Sequence, residues 1–293
     1  MSKPLAGRKV AFLGGGLREV ELAKALQDDG AEVRVSSFQA AGQIRLPMQE
    51  PKVALSGADA LILPVSGVTA EGMIKEAGGE EGVYIIPELL ALLKPGAPVV
   101  VGKTNPYLSE ALEKAGCNLI ELVEDDEFAV LNAIPTAEGA LVVAIESSGI
   151  TLAGSKCFVL GFGRCGRAIS RRLLGLGAEV HVLERSGVGR ALATEMGVKV
   201  HPFTDIKKEL PEADFIFNTV PCLVLTTDVL EILKKEVLIV DIASAPGGVD
   251  FAAAKSLGIQ AVLALGLPGK YAPKTAGQIL ARIVPRKIAE FFR

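Results

Sequence analysis

Cys157-Phe-Val-Leu-Gly-Phe-Gly-Arg-Cys-Gly166 decides the fold of this 293-residue chain. An apolar run ends at Leu160, glycines fall at 161, 163 and 166, and a helix-like stretch from Arg167 to Leu176 follows. Gly177-Ala-Glu-Val-His-Val-Leu-Glu184 then reads as a second strand, closed by an acidic residue 18 positions after the third glycine. Strand, glycine turn, helix and strand make the dinucleotide fingerprint, in which glycines permit a tight turn and close approach of backbone to a pyrophosphate. The helix N-terminus adds free N–H groups and the positive end of a dipole. A bare glycine pattern also serves plain helix–strand packing; the surrounding βαβ order is what assigns Gly161, Phe162, Gly163, Arg164, Cys165 and Gly166 to a dinucleotide. Cys165 reads as a small space-filler within that turn.

The pattern has a twin. Shifted by 147 positions, Gly7-Arg-Lys-Val-Ala-Phe-Leu-Gly14-Gly-Gly16 falls on Gly154-Ser-Lys-Cys-Phe-Val-Leu-Gly161-Phe-Gly163, and Gly30-Ala-Glu-Val-Arg-Val35 falls on Gly177-Ala-Glu-Val-His-Val182. A slightly larger shift brings Ala58-Asp-Ala-Leu-Ile-Leu63 onto Ala213-Asp-Phe-Ile-Phe-Asn218. The chain is therefore expected to be α/β, with two Rossmann-like, doubly wound parallel-sheet domains joined by an interdomain helix, as in two-domain NAD(P) dehydrogenases. The expected bounds are 1–135 for the first domain, 136–150 for the helix and 151–274 for the dinucleotide domain, with a helix at 275–293 packing back on the first. In the first half Glu19 stands where the third glycine would be. A carboxylate there opposes a pyrophosphate, so this half is assigned to substrate, and a cleft between the domains is the expected place for a small molecule.

Composition narrows the classes. Hydrophobic residues make up 49% of the chain, in short Val/Ile/Leu runs that suit strands buried on both faces. No apolar run reaches the length of a membrane span, and the first residues lack the apolar core of a signal peptide. A net charge of −3 without long charged blocks argues against nucleic acid and anionic membranes as partners. Four scattered cysteines and two lone histidines offer no metal-ligand spacing and suit a reducing cytoplasm.

The second half carries further chemistry. Glu184 favours NAD by accepting from a ribose hydroxyl, whereas Arg185 and Ser186 favour NADP by holding its phosphate. The choice stays open on the sequence. Thr219, Val220 and Pro221 end one strand and Asp241 to Ala243 the next, both at the carboxyl edge where ligands bind in open α/β sheets. Lys270 and Lys274 lie in a loop before the last helix and face either a carboxylate or solvent. His181 and His201 read as structural, and no histidine precedes the final helix, which argues against ordinary keto-acid reduction.

Several strings then converge: Leu63-Pro-Val-Ser-Gly-Val-Thr-Ala-Glu-Gly72, Asn132-Ala-Ile-Pro-Thr-Ala-Glu-Gly139, Ile242-Ala-Ser-Ala-Pro-Gly-Gly-Val-Asp250 and Gly266-Leu-Pro-Gly-Lys-Tyr-Ala-Pro-Lys-Thr-Ala-Gly-Gln-Ile-Leu280. With the glycine turn they resemble the dipicolinate synthase A-subunit of spore-forming bacteria, over nearly the whole chain and in order. Glu184 departs from that family's pattern of a small residue before Arg-Ser. The resemblance implies oxidation of dehydrated 4-hydroxy-tetrahydrodipicolinate to pyridine-2,6-dicarboxylate with NADP or NAD. It also implies a partner, the flavoprotein-like B-subunit of the synthase, together with self-association and the cytoplasm of a sporulating mother cell. A dicarboxylate asks for hydrogen-bond donors and cations. Ser66 and Thr69 are candidates for one carboxylate, Lys103 and Lys274 for its charge, and Thr136 and Glu138 sit at the expected start of the interdomain helix. Glu138 is the candidate proton acceptor, with Lys103 and Lys274 as catalytic cations. Two other readings stay open: a generic NAD(P) dehydrogenase of amino or hydroxy acids, and a non-catalytic, dinucleotide-binding regulatory protein.

Overall fold

The computed structural model describes residues 3–38, 46–75 and 82–292. The chain forms two compact units, Met1–Asn132 with Ala272–Arg293, and Ala133–Tyr271. Unit 1 carries β1 (Lys9–Leu13), β2 (Glu32–Ser36), β3 (Ala60–Ile62), β4 (Met73–Lys75), β5 (Gly82–Tyr84), β6 (Pro98–Val101) and β7 (Asn118–Glu121). Its main sheet is parallel in the order β2-β1-β3-β6-β7, while β4 and β5 pair as a separate antiparallel ribbon. Unit 2 carries β8 (Lys156–Leu160), β9 (Glu179–Glu184), β10 (Lys199–Pro202), β11 (Phe215–Asn218), β12 (Leu238–Asp241) and β13 (Gln260–Leu263). These run parallel in the order β10-β9-β8-β11-β12-β13, the doubly wound arrangement of a dinucleotide-binding domain.

Both sheets are sandwiched between two apolar layers, and strand alternation feeds each layer in turn. Cys157 and Val159 of β8 enter one core of unit 2, while Phe158 and Leu160 enter the other. Val10 and Phe12 of β1 divide from Ala11 and Leu13 in the same way in unit 1. The twin extends to an element that the sequence comparison did not reveal. Beside β2, where unit 2 has β10 beside β9, unit 1 has, among the described residues, one parallel bridge, Val35 to Met48, with the Gln49 N–H donating to the Val35 carbonyl at 2.9 Å.

The expected helix at 136–150 is corrected: it runs Asp126–Ser147, with Pro135 inside it. The missed signal lay upstream. The Asp125 carboxylate accepts the Phe128 N–H at 2.7 Å, and Asp126 and Glu127 follow in the first turn, where acids favour the dipole. An interior proline costs a helix about 3 kcal/mol, and burial of Phe128, Ala133, Ala137, Ala140 and Ala144 sets that aside. A second expectation is corrected with it. By length and composition this helix is apolar enough to cross a membrane; Glu138 interrupts its apolar run without making it polar on average. Half of its apolar window is buried within the structure, as in a core helix.

In unit 1 the C-terminal helix, Pro273–Ala289, lies along the first helix, Leu17–Asp28. A Cβ at Gly277 would overlap the Glu21 side chain and stand 2.6 Å from the Arg18 carbonyl oxygen. Glycine at 277 is what allows the two helices to meet there.

Candidate functional site

In unit 2 the strand order reverses between β8 and β11, and the glycine turn leaves β8 at that point. Each glycine has a distinct reason. Gly161 has φ +86°, and a Cβ there would lie 2.8 Å from the Thr219 hydroxyl oxygen. A Cβ on Gly166 would overlap the Gly161 carbonyl, so the helix Arg164–Gly175 could not pack so close to its strand. Gly163 differs: it caps the helix with φ −72°, and nothing lies within 4 Å of a Cβ placed there. The first-turn N–H groups of a helix lack intrahelical partners, so this open face is one that could receive a phosphate. Thr219 stands under the turn and donates its hydroxyl to the Leu160 carbonyl at 2.8 Å. Burial raises the Cys165 thiol above its ordinary range, with Arg164 opposing, which agrees with packing and not with a nucleophile.

Glu184 turns toward this loop. Its Oε2 accepts the Phe162 N–H and its Oε1 the Ser186 N–H, both at 2.7 Å. Burial pushes this carboxyl up, but the Ser186 and Phe162 N–H groups outweigh it, and the group ends below the ordinary glutamate range. Gly189 leaves it room, since a Cβ there would stand 2.6 Å from Glu184 Cγ. Arg185 and Ser186 are exposed beside it.

Asp241 is fully buried at the end of β12. Its Oδ1 accepts from the Asn218 amide at 2.8 Å and the Ala243 N–H at 3.0 Å, and its Oδ2 from the Gly248 N–H at 2.9 Å. The expectation that Asp241 and Ala243 touch a cofactor directly is thus corrected for the Asp241 side chain. Its acceptors are engaged inward, and it holds the loop 243–248 against Asn218. The signal for this pair was a polar residue ending each of two adjacent apolar strands. Val220 is half-buried and Pro221 exposed beyond them.

His181 and His201 stack with centroids 5.2 Å apart, and their Nδ1 and Nε2 meet at 3.0 Å. His181 also lies on Phe158 at 4.5 Å. Both belong to the β9–β10 edge.

Unit 1 shows the opposite use of the same geometry. Glu19 is 2% exposed. It takes the Gly16 N–H at 2.9 Å, the Val65 N–H at 3.1 Å and the Arg18 Nε at 2.9 Å. The turn that would receive a phosphate is filled by the chain's own carboxylate. Over it, a Cβ at Gly14 would overlap Ile74 of β4. The loops after β3 and β6 meet alongside. Asn105 donates to the Val68 and Thr69 carbonyls at 3.2 and 2.8 Å, and the Thr69 hydroxyl accepts the Met73 N–H at 3.0 Å. Ser66 and Lys103 are exposed on these loops, and Lys274 is exposed near the start of the C-terminal helix.

Thr136 and Glu138 belong to unit 2 and lie well inside the connecting helix, not at its start, so a dipole rationale for them is withdrawn. Glu138 Oε1 accepts from Arg172 Nη2 at 2.9 Å and Nε at 3.2 Å. The Lys270 ammonium rests 4.8 Å from the Tyr271 ring centroid. Among the described residues no group of three metal-type ligands occurs.

Two doubly wound units, one with an open glycine cradle and the other with its turn filled, define a two-domain dehydrogenase of the dinucleotide-binding class. Residues 136–255 match the model of the D-isomer specific 2-hydroxyacid dehydrogenase NAD-binding domain, and residues 9–123 that of the dipicolinate synthase A-subunit N-terminal domain. The dipicolinate synthase A-subunit of Bacillus subtilis (strain 168) is 36% identical over 291 residues, covering 98% of this chain and 97% of its own. The chain belongs to the family of dipicolinate synthase A-subunits. The crystal structure of the family member from Bacillus halodurans superposes with TM-score 0.89 at 34% identity, covering 97% of this chain and 99% of the other. A transhydrogenase from Sinorhizobium meliloti shares the fold alone, with TM-score 0.71 at 16% identity over 96% and 93% of the two chains.

Proposed function

We propose that this chain oxidises the dehydrated form of 4-hydroxy-tetrahydrodipicolinate to pyridine-2,6-dicarboxylate, using a nicotinamide dinucleotide held in unit 2. The observation that carries this is the contrast between the two turns: Gly163 faces open space, whereas Gly16 is closed by Glu19. Loss of water from the hydroxylated ring leaves a dihydropyridine. Loss of one hydride and one proton then leaves the aromatic product, so the ring supplies the driving force. When bound, the nicotinamide accepts the hydride. The chain's own part is to orient the ring and take the proton.

Glu138 is assigned as proton acceptor; Arg172 fixes one of its oxygens and leaves Oε2 for the task. Ser66, Thr69, Thr136, Lys103 and Lys274 are assigned to the two carboxylates. Partnership with the flavoprotein-like B-subunit of the synthase belongs to the same proposal, as do self-association and the cytoplasm of a sporulating mother cell. Purified chain, with and without that partner, should convert fresh substrate and dinucleotide to product absorbing as a pyridine dicarboxylate. Glu138→Gln should lower kcat by about 100-fold or more at unchanged dinucleotide Kd, the range of general-base catalysis. Dinucleotide binding without turnover under either condition would favour the regulatory reading instead.

The cofactor is assigned as NAD. Glu184 is held ionised at the end of β9 beside the glycine turn, the position from which a carboxylate accepts from a ribose hydroxyl and opposes a 2′-phosphate. Glu184→Ser should leave Arg185 and Ser186 to take that phosphate and shift the NADP/NAD ratio of kcat/KM upward by about 10-fold or more, one charged hydrogen bond's worth. An unchanged ratio contradicts this role.

A further inference from the structure

Glu19 Oε1 accepts two donors at once, Arg18 Nε and the Val65 N–H. One oxygen therefore pins the Arg18 guanidinium beside the loop that follows β3. The next loop is as close. A Cβ on Gly102 would overlap the Val65 carbonyl, and one on Gly67 would stand 2.9 Å from the Lys103 carbonyl oxygen. The Arg18 guanidinium and the backbone of Ser66 and Lys103 thus lie close to Val65 at the carboxyl edge of the unit 1 sheet, around its point of strand reversal.

The hydrogen-bond inventory at this edge is one-sided. Its acceptors are engaged: Glu19 by three donors, Glu121 by the Thr104 N–H, and the Val68 and Thr69 carbonyls by Asn105. The donors are not. Among the described residues the Arg18 Nη groups, the Ser66 hydroxyl and the Lys103 ammonium have no partner. The Arg18 side chain is only 13% exposed, so its charge is largely withdrawn from water. Arg18 and Lys103 are matched in charge by Glu19 and Glu121, so what the edge has in excess is side-chain donors. Such an edge calls for an anion with several acceptor atoms.

We propose that Arg18, Ser66 and Lys103 form a carboxylate subsite in unit 1, with the Arg18 fork as its bidentate ligand. For a cyclic dicarboxylate this rests on the substrate proposed above. The fork is the essential feature, since a lysine offers charge without the planar pair of donors. Lys103 and Ser66 complete the contact from the neighbouring loops.

The full-length chain, saturated with NAD in metal-free buffer, is titrated with pyridine-2,6-dicarboxylate by calorimetry. Arg18→Gln should weaken binding by about 30-fold, within the span of charge-assisted hydrogen bonds, and Arg18→Lys should recover little of it. Lys103→Met and Ser66→Ala, both at exposed positions, should each weaken it by about 5-fold, the middle of the range for single hydrogen bonds. NAD affinity should not change in any of them. Unchanged dicarboxylate affinity in Arg18→Gln overturns the subsite; if that variant melts early, unchanged affinity in both exposed variants overturns it. Arg18-dependent binding of pyridine-2-carboxylate, without turnover of the ring substrate, would support the subsite while contradicting the proposed reaction.

Discussion

At the residue scale, the three glycines of the turn are not interchangeable, and each has its own failure. Gly166→Ala brings a methyl group into the Gly161 carbonyl and should destabilise unit 2 by about 1–3 kcal/mol, as overpacking does. Gly163→Ala meets no atom within 4 Å and should leave the unfolding midpoint in place. Paired urea melts check both; equal effects would mean the turn is not packed as described. These roles were legible in the sequence because a glycine's constraint is local, set by φ and by the nearest backbone. Glu19 was half legible. Its conflict with a pyrophosphate could be read from position, but its bond to Val65 spans 46 residues and depends on where β3 lies. Arg18 left no trace at all, since only Glu19's orientation distinguishes it from a solvated arginine.

At the element scale, the β9–β10 edge gathers both histidines of the chain into one stack. Burial lowers the His181 pKa; Glu179 opposes this, while His201 and Lys199 add to it. The folded chain therefore binds this proton less readily than the unfolded chain. The neutral ring contributes stability above the unfolded value of about 6.5, and that contribution is lost as pH falls below it toward the folded value. With only two histidines, proton NMR gives two titration curves, and one should have its midpoint below 6.5. Two midpoints above that value, or unfolding midpoints that rise on acidification from pH 7 to 5.5, would contradict the arrangement. The pairing was hidden because it depends on the β9–β10 register, in which His201 lies opposite Leu183 and reaches His181 only along the face. The connecting helix was misjudged at its start for a related reason. Pro135 is a strong local stop signal, and burial against separate cores, which sequence does not display, carries the helix through it.

At the scale of the whole molecule, one plan occurs twice, and the two copies have diverged at their turns. In unit 2 the turn at the strand reversal stays open at Gly163, with Glu184 held against the turn and the buried Asn218–Asp241 pair fixing the loop 243–248. In unit 1 Glu19 and Ile74 fill it, leaving the neighbouring loops with cations and hydroxyls to present. The proposed division of labour rests on that difference and predicts a single dinucleotide per chain, held by unit 2. Calorimetric titration of the full-length chain with NAD measures it directly, with Gly163→Asp as the second arm. The account predicts one site per chain in the parent and none in Gly163→Asp, at an unfolding midpoint close to the parent's. Two sites in the parent, or a site that survives in Gly163→Asp, would contradict it.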